Sequence, residues 1–135
     1  MKYLLDTNVI LWYLNDDIKL PDSHKTLIDT PGSFIFISIV SLWEIAIKSS
    51  LGKLNLDIGF DKILSAISNS EDFSILTVNT SHLKVLLNLP FYHKDPFDRL
   101  IYAQSLSENL SLIYTDKIFD QYQLHNSGPL EIDRD

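Results

Sequence analysis

Four acids, Asp6, Glu44, Asp98 and Asp116, stand where carboxylate chemistry can be assembled. Asp6 closes the run KYLLD and Asp116 closes LIYTD, each beside a threonine, Thr7 or Thr115, at the carboxyl end of an apolar stretch that reads as a buried strand. In a parallel sheet such ends share one edge, the edge where open α/β folds bind ligands. The competing reading of each aspartate is a helix N-cap. Capping alone gives no reason for the Asp-Thr and Thr-Asp pairs to repeat. Glu44 lies in IVSLWEIAIK, where only Ser41, Glu44 and Lys48 interrupt the apolar residues. Their spacing draws a narrow polar stripe along one helix face. An acid on so narrow a stripe must meet a polar cavity or a partner charge. The simpler alternative is a Glu44–Lys48 ion pair one helical turn apart, worth a few tenths of a kcal/mol. Asp98 sits in HKDPFDRLIYAQ. There Asp95 reads as the N-cap, Pro96 as the first helical residue and Asp98 as an acid of the first turn. A first-turn acid also suits the helix dipole, so Asp98 alone is ordinary. It becomes a candidate only because three other acids point to the same place.

Four carboxylates brought together repel one another by several pKa units unless a cation neutralises them. With no cysteine in the chain, thiolate nucleophiles, disulfides and cysteine-held zinc are excluded. His24, His82, His93 and His125 are scattered and form no HExxH pair. Oxygen ligands of this kind fit Mg²⁺ or Mn²⁺ better than zinc. Carboxylate-held Mg²⁺ beside a phosphodiester orients a water, lowers its pKa and stabilises the departing oxygen. Lys48, Lys94, Arg99 and Lys117 flank these acids. They read equally well as anchors for neighbouring phosphates and as charge balance for the acids.

The elements that must position these groups alternate between short apolar runs and helical patterns, which predicts an α/β domain with a sheet between helix layers. Strands are expected at 2–5, 34–37, 73–76 and 112–114, with a last one at 130–132. Helices are expected at 8–15, 21–30, 39–51 and 60–68, from a cap at Asn79 or Thr80 to a stop before Pro90, from Pro96 onward, and near 117–122. The 135 residues suffice for one domain, taken as 1–135, with a proper core. Asp6 breaks the first apolar run, and FIFISIVSLWEIAI is too short and too interrupted to span a bilayer, so a cytoplasmic protein is expected. The net charge of −7 argues against a broad basic face that coats nucleic acid. It leaves open a nuclease whose clustered acids are neutralised by cations.

The segments LLDTNVILW, SLWEIAIK, HKDPFDRLIYAQ and YTDKIFDQY together resemble the PIN-domain ribonucleases, and among them the VapC-type toxins of bacterial toxin–antitoxin pairs. They span almost the whole chain in the family's order. The resemblance implies a three-layer α/β/α fold with a central parallel sheet and a metal-dependent endoribonuclease that hydrolyses RNA phosphodiester bonds. It carries the metal-binding and catalytic acids onto Asp6, Glu44, Asp98 and Asp116, with Mg²⁺ or Mn²⁺ as cofactor. Asp95 corresponds to an auxiliary acid but is weighed as the N-cap. Thr7, Asn8 and Thr115 resemble the small polar residues that order acids, water or metal, and Lys48 and Arg99 are supporting candidates. A small VapB-like antitoxin is the implied inhibitor.

Other readings compete. A housekeeping or DNA-directed PIN nuclease shares the chemistry but usually carries additional domains. A phosphohydrolase of the haloacid dehalogenase type requires an aspartate where Asn8 stands. A non-catalytic binding module would use the acids only as caps. The stretch 39–64 holds more apolar side chains than one buried helix face accommodates, among them Trp43, Ile45, Ile47, Leu51, Leu54, Leu56, Ile58, Phe60, Ile63 and Leu64. Such a patch predicts a covering antitoxin and a homodimer, unless the two helices there pack on each other and bury it.

Overall fold

Alternation along the first strand organises the molecule. In the computed structural model, which describes residues 1–54, 56, 58–125 and 130–131, β1 spans Lys2–Leu5. Its Tyr3 and Leu5 enter one core while Leu4 enters another. The same alternation places Ile35 and Ile37 of β2 (Phe34–Ser38) on the first side and Phe36 on the second. Leu112 and Ile113 of β4 (Ser111–Ile113) likewise face opposite ways. Both faces of the sheet are thus apolar, as a parallel sheet covered on both sides requires. Burying one of these leucines or isoleucines contributes about 1.5–3 kcal/mol.

The first core is closed by α1 (Thr7–Leu14), α2 (Asp22–Asp29), one side of α3 (Ile39–Ser50) and α4 (Phe60–Asn69). The second is closed by α5 (Thr80–Leu87), α6 (Pro96–Ser107) and α7 (Phe119–His125). With β3 (Phe73–Leu76) and β5 (Leu130–Glu131), the strands form one parallel sheet in the order β3-β2-β1-β4-β5. The chain first builds outward from β1 through β2 to β3, then returns to the other side of β1 with β4. The carboxyl ends of β1 and β4 therefore flank the topological switch point, the place such folds leave open for a ligand.

The expected elements are all present, with small shifts in their limits. The strand expected at 112–114 runs Ser111–Ile113, which leaves Asp116 three residues beyond its end. The strand expected at 130–132 is seen as Leu130–Glu131, and Ile132 lies outside the described residues. α3 ends at Ser50 with Leu51 as its C-cap, and Gly52 follows with φ of 71°, a left-handed conformation that suits glycine after a helix.

The apolar stretch 39–64 divides in two. Leu54, Leu56, Ile58, Phe60 and Leu64 pack half-buried against the first core, and Ile45 and Ile63 lie inside it. Trp43 and Leu51 remain 58% and 62% exposed, and Ile39 is exposed beside them. The α4 side thus buries itself as a packed pair of helices would, whereas the outer side of α3 does not. No helix among the described residues is long and apolar enough to cross a membrane.

Candidate active site

Asp6 follows β1 directly and is the N-cap of α1: its Oδ1 accepts from the Asn8 N–H at 2.9 Å. Its own N–H donates to the Ile113 carbonyl at 3.0 Å, so the pairing of β1 with β4 reaches into the site. Oδ2 lies 3.5 Å from the Thr115 N–H. Capping and site placement are therefore the same geometry. The side chain is buried, and burial raises its pKa to about 6 against the opposing pull of the two backbone N–H groups, with the charges of Glu44 and Asp116 adding to the rise.

Glu44 is buried on α3 with both oxygens engaged. Thr7 Oγ1 donates to Oε1 at 2.7 Å and Lys48 Nζ to Oε2 at 2.6 Å. Thr7 Oγ1 also lies 3.0 Å from Ser41 Oγ, so the stripe Ser41–Glu44–Lys48 faces the start of α1. The one-turn ion pair with Lys48 is present as well. Glu44 and, more weakly, Asp95 and Asp98 raise the Lys48 pKa, which places that ammonium within the field of the acids.

Asp95 caps α6: its Oδ1 accepts from the N–H groups of Phe97 at 2.8 Å and Asp98 at 3.2 Å, with Pro96 as the first helical residue. That division leaves the Asp98 carboxylate free to face the sheet edge. Burial raises its pKa to about 8, and the charges of Asp6, Asp95, Glu44 and Asp116 all push the same way. Asp116 turns its Oδ1 back onto the Ile118 N–H at 3.0 Å and its Oδ2 toward His93 Nε2 at 3.1 Å. Asp98 Oδ2 lies 2.9 Å from that same nitrogen. One ligand-type atom each from His93, Asp98 and Asp116 thus falls within a span of 4.8 Å.

The structure brings Asp98 and Asp116 to a common point. It keeps Asp6 and Glu44 behind them, outside that tight group yet near enough for their charges to raise Asp98. Thr7 acts through its hydroxyl, whereas Asn8 and Thr115 meet Asp6 with backbone N–H groups. Lys94 and Lys117 are exposed. Arg99 is buried, and its guanidinium donates to the carbonyls of Pro90 at 2.8 Å and Leu89 at 3.4 Å and to the Tyr122 hydroxyl at 3.3 Å. It also stacks over the Phe91 ring at 4.0 Å. Arg99 therefore supports the loop between α5 and α6 rather than presenting a free charge. His93, on that loop, is the residue that sequence reasoning passed over: no periodicity marks it, and its position two residues before the Asp95 cap is the one local signal.

The donor set fits a hard divalent cation. Its carboxyl oxygens are partly buried, and two of the acids, Asp6 and Asp98, have raised pKa values through burial and neighbouring carboxylates, a penalty that a bound cation removes. A PIN domain family model matches residues 3–124. The chain belongs to the PIN-domain family. Among solved structures, this PIN domain is similar to VapBC2 from Rickettsia felis, crystallised with a fragment of promoter DNA. The identity there is 18% and the TM-score 0.62, over 90% of this chain and 93% of that one. It is equally similar to VapBC-1 from nontypeable Haemophilus influenzae, with 21% identity and TM-score 0.62 over 93% and 94% of the two chains. At such identities the likeness establishes the shared three-layer α/β/α fold. No curated protein matches the chain in sequence.

Proposed function

We propose that this PIN domain is a Mg²⁺- or Mn²⁺-dependent endoribonuclease of the VapC type, a toxin held in check by a small antitoxin. The electrostatic coupling of Asp98 to Asp6, Glu44 and Asp116, beside the carboxyl ends of β1 and β4, carries this reading. The two solved structures named above are VapBC complexes, which supports the toxin assignment. Asp98 and Asp116 are the principal cation ligands, with Asp6 and Glu44 completing the negative site. A bound cation supplies charge stabilisation and an activated water for phosphodiester hydrolysis. The protein's own residues do the positioning. Thr7 and Lys48 hold the Glu44 carboxylate, backbone N–H groups of Asn8 and Thr115 hold Asp6, and Lys48 places a positive charge beside the acids for a neighbouring phosphate.

The exposed Ile39, Trp43 and Leu51 on the outer side of α3 are proposed to be covered by the antitoxin, a second copy of the chain, or both. The test is incubation of the purified chain with single-stranded RNA and, in parallel, single-stranded DNA. Cleavage of RNA that needs Mg²⁺ or Mn²⁺, stops with chelator and disappears in Asp98→Asn is expected. RNA left intact under these conditions, or cut undiminished after exhaustive chelation, would overturn the proposal.

A further inference from the structure

His93 sits where a third cation ligand would be expected, yet its hydrogen bonds give it another role. Its Nδ1 accepts from the Asp95 backbone N–H at 3.2 Å. An acceptor nitrogen carries no proton, so in the neutral ring the proton is on Nε2. Nε2 is the atom 3.1 Å from Asp116 Oδ2 and 2.9 Å from Asp98 Oδ2. A protonated ring nitrogen has no lone pair to offer a cation. We infer that His93 is a positioning residue rather than a metal ligand. Its Nε2–H holds the Asp116 carboxylate, and with it the loop after β4, against Asp98 on α6. This deepens the nuclease reading and rests on it where the cation is concerned.

The surroundings of His93 are built for that purpose. Its backbone N–H donates to the Tyr122 hydroxyl at 3.1 Å, and that hydroxyl donates to the Pro90 carbonyl at 2.8 Å. Arg99 binds the same carbonyl and the same hydroxyl, so two side chains from α6 and α7 anchor the loop on both sides of Phe91. The ring packs on Phe119, with centroids 5.2 Å apart, which limits its rotation. Within this frame, the tautomer is set by the same N–H that precedes the Asp95 cap. One short loop thereby starts α6 and aligns two acids from separate elements. Partners of this kind, one step behind the ligands, commonly govern metal affinity by about 10–100-fold.

Two substitutions separate the two ring nitrogens. In His93→Asn, Oδ1 can still accept from the Asp95 N–H, but the side chain is too short to donate to Asp116. In His93→Gln, the amide NH₂ reaches the position of Nε2. Mn²⁺ titration of the full chain is expected to show a loss of about 10–100-fold for His93→Asn and near-wild-type affinity for His93→Gln. The electron-spin-echo spectrum of the Mn²⁺-loaded wild type should lack directly coordinated ¹⁴N. In the cation-free protein, long-range ¹H–¹⁵N correlation should show the His93 proton on Nε2. Unchanged affinity in His93→Asn, equal losses in both variants, or a directly coordinated ¹⁴N would each overturn the inference. If the wild type bound no Mn²⁺, the nuclease reading would fail. The tautomer measurement would still decide the orientation of His93, and a proton on Nδ1 would refute it.

Discussion

Helix α6 touches two buried polar clusters of opposite character. Near its middle, Gln104 joins α6 to β2 and α5. Its Oε1 accepts from Ser38 Oγ at 2.5 Å, and its Nε2 lies 3.3 Å from the Thr77 carbonyl and 3.4 Å from His82 Nδ1. His82 Nδ1 also accepts from the Asn79 N–H at 3.1 Å, and Nε2 lies 2.8 Å from Glu108. Donors there meet acceptors, with the Glu108 carboxylate paired to His82. At the amino end of the same helix, Asp98 meets Asp6, Asp95, Glu44 and Asp116, and its pKa rises to about 8. Both clusters bury polar atoms, but only the first is complete in itself. A self-satisfied network contributes to structure. Carboxylates gathered at the cost of their own ionisation mark a candidate functional site.

Substitutions should separate the two regions cleanly. The largest effect belongs to the acids. Asp6→Asn and Asp116→Asn are each expected to lower RNA cleavage by roughly a thousand-fold, since removing several kcal/mol of charge stabilisation costs about a factor of ten per 1.4 kcal/mol. Cooperative unfolding should be retained in both. Gln104→Leu should do the reverse. Leaving Ser38 and the Thr77 carbonyl unpaired is expected to cost about 2–3 kcal/mol of stability, read by denaturant titration, while the refolded protein keeps its cleavage rate per folded molecule.

A smaller effect, confined to the acid cluster, is expected from pH. Asp6 and Asp98 have folded pKa values of about 6 and about 8, above the ordinary 3.8. Between pH 4 and 8 the folded chain therefore binds more protons than the unfolded one, and metal-free stability falls as pH rises through that window. Asp98→Asn removes the larger share. The variant should become more stable than wild type above pH 7, by on the order of 2 kcal/mol. Gln104→Leu should run parallel to wild type across the same range. An Asp98→Asn curve that also ran parallel would show that the acids do not repel as argued.

The same contrast explains what could be read before the fold was seen. The sheet was legible because short apolar runs such as Tyr3–Leu5 and Ile35–Ile37 alternate with helical patterns, and those runs fill both faces of the covered parallel sheet. Asp6, Glu44, Asp98 and Asp116 were legible because strand ends, a narrow stripe and a Pro-marked helix start each leave a local trace. The supposed conflict between cap and candidate site dissolves at Asp6, which caps α1 with Oδ1 while its charge bears on Asp98, and at Asp95, which takes the capping role at the start of α6. His93 and Arg99 were not legible in these roles. Their partners lie across the chain, Asp116 for His93 and Tyr122 for Arg99, and no spacing rule connects them. The Gln104–Ser38–His82 network escaped for the same reason: its members come from three elements and leave no periodic mark.

Calorimetric titration of Mn²⁺ into wild type, Asp98→Asn and Gln104→Leu at one pH near neutral addresses the central claim, that the acid cluster is a cation site and the glutamine network is not. Binding that is lost in Asp98→Asn and retained in folded Gln104→Leu is the predicted result. Equal Mn²⁺ affinity in wild type and Asp98→Asn would contradict the account.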